Sequence, residues 1–301
     1  MAGEKKVKEL ELTAEKCRRN VLRMVEAGGH GHIGGAFSAI DIITALYFYK
    51  MHVQPDNPKW MDRDRFILSA GHKCMAQYGV LAERGYFPKS VLDTYGMLKS
   101  KIPGHPDMHK LPGIEANTGA LGHGLAIAEG MALALRSEKK DAMVYVMLGD
   151  GELAEGSNWE AAAVAAQYCL DNLVLFLDNN GLQISGSVES VMNFMPASEK
   201  FKAFGWNVME LDGNNMEEIV SVLDLMPVCK RKPTVVICHT VKGKGISFLE
   251  NQVSCHFWTP DKDKLELAIE EVEARIKELE RLYGIQNGST SFQGNQYEVV
   301  T

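Results

Sequence analysis

The chain alternates short, wholly apolar runs with longer segments of helical period. Residues 143–148 and 173–177 are apolar throughout, the pattern of strands buried on both faces. The segment between them, about 153–170, is rich in alanine and has strong helix propensity. Strand, helix and strand at this spacing predict a right-handed βαβ crossover between parallel neighbours. The alternation continues on both sides. Residues 5–26 carry Leu10, Val21, Leu22 and Val25 on one side of a helix that ends at Gly28-Gly29. His30 to Gly35 reads as a glycine-rich loop, and Ser38 as the N-cap of a helix reaching about Lys50. A strand is expected at 65–69, helices at 73–84 and 88–95, and irregular chain over the Pro/Gly-punctuated stretch 100–119. The segment from Thr118 to Gly124 opens a second Ala-rich helix that reaches about Arg136. Strands at 206–211 and 234–239 flank a helix at 217–226, and a charged helix at 262–283 stops at Gly284. The pattern predicts an α/β fold: a doubly wound, mostly parallel sheet with helices on both faces. Residues 1–283 are expected to form a single domain and 284–301 a polar C-terminal tail.

Composition narrows the classes. Of 301 residues, 46% are hydrophobic, enough for a well-buried core. The net charge of -7, with both signs interspersed, points away from a nucleic-acid partner. No apolar run has the length of a membrane span, and the charged N-terminus lacks the core of a secretory signal. The six cysteines have no paired spacing and several lie in apolar runs, which points to reduced thiols and a cytoplasmic location.

Chemistry concentrates where the two central strands end. The first runs into Gly149-Asp150-Gly151 and the second into Asp178-Asn179-Asn180. In open parallel sheets, ligands bind outside the carboxyl ends of the strands. A carboxylate from Asp150, an amide oxygen from Asn180 and a nearby carbonyl are hard oxygen donors suited to Mg²⁺ or Ca²⁺. Gly149 and Gly151 allow close backbone approach, and the N-terminus of the next helix favours an anion. The set suggests a metal-bridged diphosphate; two plain turns are the bland alternative. Four loop histidines, His32, His72, His105 and His123, fall at strand or helix edges, and His256 follows a basic glycine-rich loop, 240–247. Clustered imidazoles suit proton transfer and hydrogen bonding to sugar hydroxyls. Zinc is the rival reading, but no HExxH or paired Cys/His spacing supports it.

GHIGG, LSAGH, GHP, TGALGHG, GDGELAEGSNWEA, LDNNGLQISG and KGKGISF occur in one order that resembles the thiamine diphosphate-binding half of a transketolase, over about residues 10–260. The resemblance implies thiamine diphosphate and Mg²⁺ as cofactors, with Ca²⁺ or Mn²⁺ able to substitute. It implies that Asp150, Asn180 and the carbonyl of Leu182 hold the metal. Gly149 and Gly151 would give the diphosphate backbone access, and Gly119 and Leu121 would lie against the cofactor. Glu155 would meet a partner's catalytic glutamate across a subunit interface. His32, His72 and His105 match histidines lining the substrate channel and the reactive carbon; His256 matches one serving proton transfer and donor binding. Phe257-Trp258 departs from the glycine that usually follows that histidine. Lys242 matches a lysine near the cofactor or substrate phosphate, and His123 replaces a residue that is often glutamine. His30 and His109 are taken as structural or surface residues.

Familiar transketolases add a second domain that grips the aminopyrimidine, then a C-terminal domain. The resemblance therefore implies the N-terminal subunit of a split transketolase. Its partner would be a separate C-terminal subunit carrying the pyrimidine-binding domain, most simply in an α₂β₂ heterotetramer. Its substrates would be sugar phosphates of pentose phosphate metabolism. The alternatives are ketol transfer on a branched or sulfo-sugar, a deoxyxylulose-phosphate synthase, a 2-oxoacid dehydrogenase component, and a non-catalytic homologue.

Overall fold

The computed structural model describes residues 2–284, so residues 285–301 of the expected polar tail lie outside the described residues. In chain order the regular elements are α1 (Ala2–Gly28), α2 (Ile33–Ala45), β1 (Arg65–Leu68), α3 (Cys74–Arg84), α4 (Gly124–Ser137), β2 (Val144–Gly149), α5 (Gly156–Gln167), β3 (Leu173–Asn179), α6 (Val188–Val191), α7 (Ala197–Ala203), β4 (Asn207–Asp212), α8 (Met216–Asp224), β5 (Thr234–His239) and α9 (Lys262–Tyr283). The five strands form one sheet in the order β1-β2-β3-β5-β4, and every pairing is parallel. The doubly wound α/β fold expected from the sequence is the one formed.

The two-residue period of the strands divides the interior. Phe66, Leu68, Tyr145, Met147, Val174, Phe176 and Val236 face a core shared with α1, α2, α3, α8 and α9. Ile67, Val144, Val146, Leu148, Leu173, Leu175, Leu177, Val235 and Ile237 face the other, with α4, α5 and α7. Both faces are covered, which is why the central strands read as unbroken apolar runs.

Several local expectations differ from the structure. Helix α2 begins at Ile33, so Ser38 is an interior residue rather than an N-cap; its hydroxyl is fully buried and bonded to Asp178. Gly34 and Gly35 are helical, not part of a loop. They are small because neighbours crowd them: a Cβ on Gly34 would stand 2.4 Å from Cys255 Sγ. The chain over 46–50 winds as a π-turn, and 89–94 is 3₁₀ rather than α-helical. After β2 a 3₁₀ turn, Asp150–Ala154, precedes α5, which begins only at Gly156. The anion-facing amides expected just after Gly151 therefore belong to that tight turn and not to the start of α5. The stretch 100–119 contains no helix, as expected.

Candidate active site

Register sets the site. Gly149 on β2 lies opposite Asp178 on β3, so Asp150 and Asn180 leave the sheet side by side. Asp150 is 3% exposed. Its Oδ1 accepts from Gly151 N at 2.7 Å and its Oδ2 from Gly181 N at 2.6 Å, which ties the two strand ends together. Burial, then the nearby Asp178 carboxylate, push the Asp150 carboxyl up to about 6. Asn180 Oδ1 accepts from Leu182 N at 3.2 Å, and its Nδ2 donates to Asp178 Oδ2. Lys242, also buried, donates from Nζ to the carbonyl of Leu182 at 2.9 Å. A carboxylate, an amide oxygen and a backbone carbonyl thus converge beside an ammonium group. A buried carboxylate held out of water is a site where a cation relieves a cost. The carbonyl of Leu182 has a second lone pair to offer besides the one Lys242 uses. The donor set fits a hard divalent ion.

The loop that presents Lys242 is pinned on both sides. Asn214 Oδ1 accepts from Val241 N at 2.8 Å, and the buried Arg18 donates from Nε to Lys244 O at 3.2 Å. Arg18 and Asn214 are joined through Asp41 Oδ2, which accepts from Arg18 Nη2 at 2.6 Å and Asn214 Nδ2 at 2.8 Å.

Three buried charged residues escape the sequence reading. Lys73 forms an ion pair with Asp178, their side chains 4% and 0% exposed. Burial alone would raise the Asp178 carboxyl, but Lys73, Thr240 and Ser38 together bring it below its ordinary value. Glu152 is the third. Its Oε1 accepts from Gly122 N at 2.9 Å and from the Ser69 hydroxyl, and its Oε2 from Gly149 N at 3.2 Å. One carboxylate thus staples the ends of β1 and β2 to the turn before α4. Glu152→Ala leaves two buried amides unpaired and is expected to cost about 2–3 kcal/mol, read as a lowered urea midpoint with an unchanged slope.

Three histidines gather above this floor. The His32 ring centroid lies 5.4 Å from those of both His72 and His256, and His72 lies 5.2 Å from His256. Burial first, then the neighbouring Lys73, hold His72 down to about 2; burial and then Lys242 hold His256 down to about 4. Burial followed by His105 lowers His32 as well. His72 and His256 are therefore neutral near pH 7. Lys242 Nζ lies 3.3 Å from His256 Nδ1. An ammonium has only protons to give, so Nδ1 accepts and the ring proton sits on Nε2.

A cavity of about 400 Å³ joins these groups. Of the site residues expected from sequence, His32, His72, Gly119, Leu121, Gly149, Asp150, Gly151, Asn180, Leu182, Lys242 and His256 line it. His105 is brought alongside instead. Its ring lies 6.5 Å from that of His32 and sits against Gly119, where a φ of +143° and a Cβ that would stand 2.8 Å from His105 Cδ2 exclude a side chain. Glu155 does not line the cavity; it is exposed and packs beside Gly122. His123 is exposed at the start of α4 and its Nδ1 bonds the Leu121 carbonyl; His109 is exposed. Gln183, Ile184 and Val191 add a wall that the sequence reading did not assign.

Comparison with known proteins places this arrangement. Residues 11–272 match the family described as "Transketolase, thiamine diphosphate binding domain". The chain is 45% identical over 275 residues to one subunit of the apulose-4-phosphate transketolase of Phocaeicola vulgatus, covering 91% of this chain and 98% of that one. It is 39% identical over 265 residues to the SqwG subunit of a 6-deoxy-6-sulfo-D-fructose transketolase from a Clostridium species, covering 88% and 96%. A transketolase from Pichia stipitis, solved in complex with sedoheptulose-7-phosphate, superposes with a TM-score of 0.81 at 28% identity, over 92% of this chain. The match covers 45% of that structure's chain, so this protein spans about half its length. A sheet whose strand ends carry Asp150 and Asn180, matched over most of its length, identifies the chain as a member of the transketolase thiamine diphosphate-binding domain family.

Proposed function

We propose that this chain is the N-terminal subunit of a split transketolase. With a separate C-terminal subunit that carries the pyrimidine-binding domain, it moves a two-carbon ketol unit from a ketose phosphate to an aldose phosphate. The observation that carries the reading is the convergence of Asp150, Asn180 and the Leu182 carbonyl beneath the His32, His72 and His256 rings. Asp150, Asn180 and the Leu182 carbonyl hold Mg²⁺, and the Gly151 turn and Lys242 face the diphosphate. Thiamine diphosphate, when bound, supplies the electron sink that lets the C2–C3 bond of a ketose break.

This chain's own residues bind and orient the sugar. Neutral His72 and His256, both lining the cavity, offer hydrogen bonds to hydroxyls, and His256 carries its proton on Nε2 because Nδ1 accepts from Lys242. Leu121, Leu182 and Ile184 supply an apolar wall against the cofactor. Glu155 stands where a companion subunit docks. The exposed stripes beside it support such a surface: Ala126, Gly130 and Ala134 on α4, and Ala163 and Val164 on α5. A 2:2 assembly with the companion follows the pattern of closed two-fold oligomers. The six free cysteines and the lack, among the described residues, of any helix able to cross a membrane support a reducing, cytoplasmic setting.

The names of two relatives favour a second reading for the sugar alone: one acts on apulose 4-phosphate and another on a 6-deoxy-6-sulfo-fructose. Assays of the two-subunit enzyme with pentulose phosphate, branched ketose phosphate and sulfonated ketose donors distinguish them. Aldose-dependent ketol transfer without pyruvate use is expected. Consumption of pyruvate with release of CO₂ would assign the chain to a different thiamine enzyme.

A further inference from the structure

The residues after His256 are not explained by cofactor binding. Phe257 is extended, with φ -129° and ψ 114°. Trp258 pairs with Gly31 through two backbone hydrogen bonds, Gly31 N to Trp258 O at 3.0 Å and Trp258 N to Gly31 O at 2.8 Å. Successive side chains of extended chain point to opposite sides. Trp258 turns inward against Phe248 and is 7% exposed, so Phe257 turns outward and is 49% exposed. Its ring stacks on His30 at 5.3 Å and meets His32 edge-on at 4.9 Å between centroids. The His32 ring joins Phe257 to His72 and His256, each 5.4 Å away on the cavity side. His30 has a buried Nδ1 without a hydrogen-bond partner among the described residues, and its ring contacts Phe257 and Tyr95. A phenyl ring half in water adds little to folding. The Gly31 pairing fixes it outside the cavity, against the face of His32 that is turned away from His72 and His256.

We propose that Phe257 is a specificity-determining residue of the sugar channel, an apolar wall outside His32 that makes the site favour three-carbon over five-carbon acceptor aldose phosphates. The inference rests on the ketol-transfer reading. A short acceptor held at His72 and His256 ends before the ring. A longer one must carry hydroxyls and a terminal phosphate across it. There the ring removes water from those groups and returns no hydrogen bond.

The test uses the two-subunit enzyme loaded with thiamine diphosphate and Mg²⁺, with one ketose donor. The acceptors are glyceraldehyde 3-phosphate and ribose 5-phosphate, and calorimetric binding of each to the loaded complex is measured alongside. The wild type is expected to favour the three-carbon acceptor by about tenfold in kcat/KM, the order that one apolar wall contributes. Phe257→Gly is expected to remove most of that preference by raising the five-carbon value, with cofactor affinity unchanged. Phe257→Leu should fall between. An equal preference in wild type and Phe257→Gly, or a five-carbon preference in the wild type, overturns the proposal. Absence of transfer with every acceptor would instead overturn the ketol-transfer reading, and the calorimetric ratio would still decide the role of Phe257.

Discussion

Asp150→Ala is expected to abolish Mg²⁺-dependent binding of thiamine diphosphate, seen by calorimetry as loss of a saturable isotherm. The Asp150 carboxylate is the one charged oxygen in the donor set, and it also bridges the Gly151 and Gly181 amides. The pH dependence is specific. In the ligand-free chain burial raises this acid from 3.8 to about 6. A raised acid binds its proton more tightly folded than unfolded, so ligand-free stability falls as pH rises toward and through about 6. The cost of the charged form above that pH is roughly 3 kcal/mol. Metal binding removes it, so the Mg²⁺-loaded chain should not show the fall. Metal must displace the proton at lower pH, and affinity should weaken about tenfold per pH unit below the midpoint. Asp150→Asn separates the two effects: it should lose the metal and abolish the fall of ligand-free stability through about pH 6, while its single oxygen can accept from only one of the Gly151 and Gly181 amides, so the relieved charge is offset by one unpaired amide. Binding by Asp150→Ala that remains Mg²⁺-dependent would sink the assignment of the diphosphate site.

Lys73→Met is the substitution expected to damage the fold most. It leaves the Asp178 carboxylate without its ammonium partner in a position 0% exposed. Breaking one side of a buried pair costs about 3–5 kcal/mol, a large part of a domain's stability. The Thr240 and Ser38 hydroxyls and the Asn180 amide still reach Asp178, but none carries charge. Lys73→Met/Asp178→Asn should recover much of the loss, because the uncompensated charge goes with its partner. Denaturant unfolding of the two single variants and the double variant measures the coupling. Equal losses in Lys73→Met and the double variant would show that the pair is not the source.

The strand ends were legible because the evidence for them is local. Apolar runs of strand length stop at GDG and DNN, and chain geometry alone makes Asp150 and Asn180 neighbours. His32 and His72 were legible through the glycine before each, but the same signal also marked His123, which lies outside the cluster, and His256 carries no glycine flank. The supports beneath the site were not. Asp178 ends an apolar run and looks like a turn residue; only the fold reveals that Lys73 from the chain after β1 reaches it. Glu152, in the turn after β2, resembles any acid near a helix start until Ser69 and Gly122 are brought to it. Ser38 and the glycines at 34 and 35 mislead for one reason. Capping and loop signals are local, whereas these residues are small or polar because Asp178, Cys255 and Lys73 press on them from distant segments. Buried polar contacts between remote segments leave no period in a sequence.

The central claim is that this chain holds the diphosphate half of an active site completed by another polypeptide. The direct measurement is ketol transfer from xylulose 5-phosphate to ribose 5-phosphate with thiamine diphosphate and Mg²⁺, first with this chain alone and then in a mixture with its companion. Activity only in the mixture, saturating at one companion per chain, is the predicted result. Full activity from this chain alone would contradict the account, because the site would then need nothing from a partner.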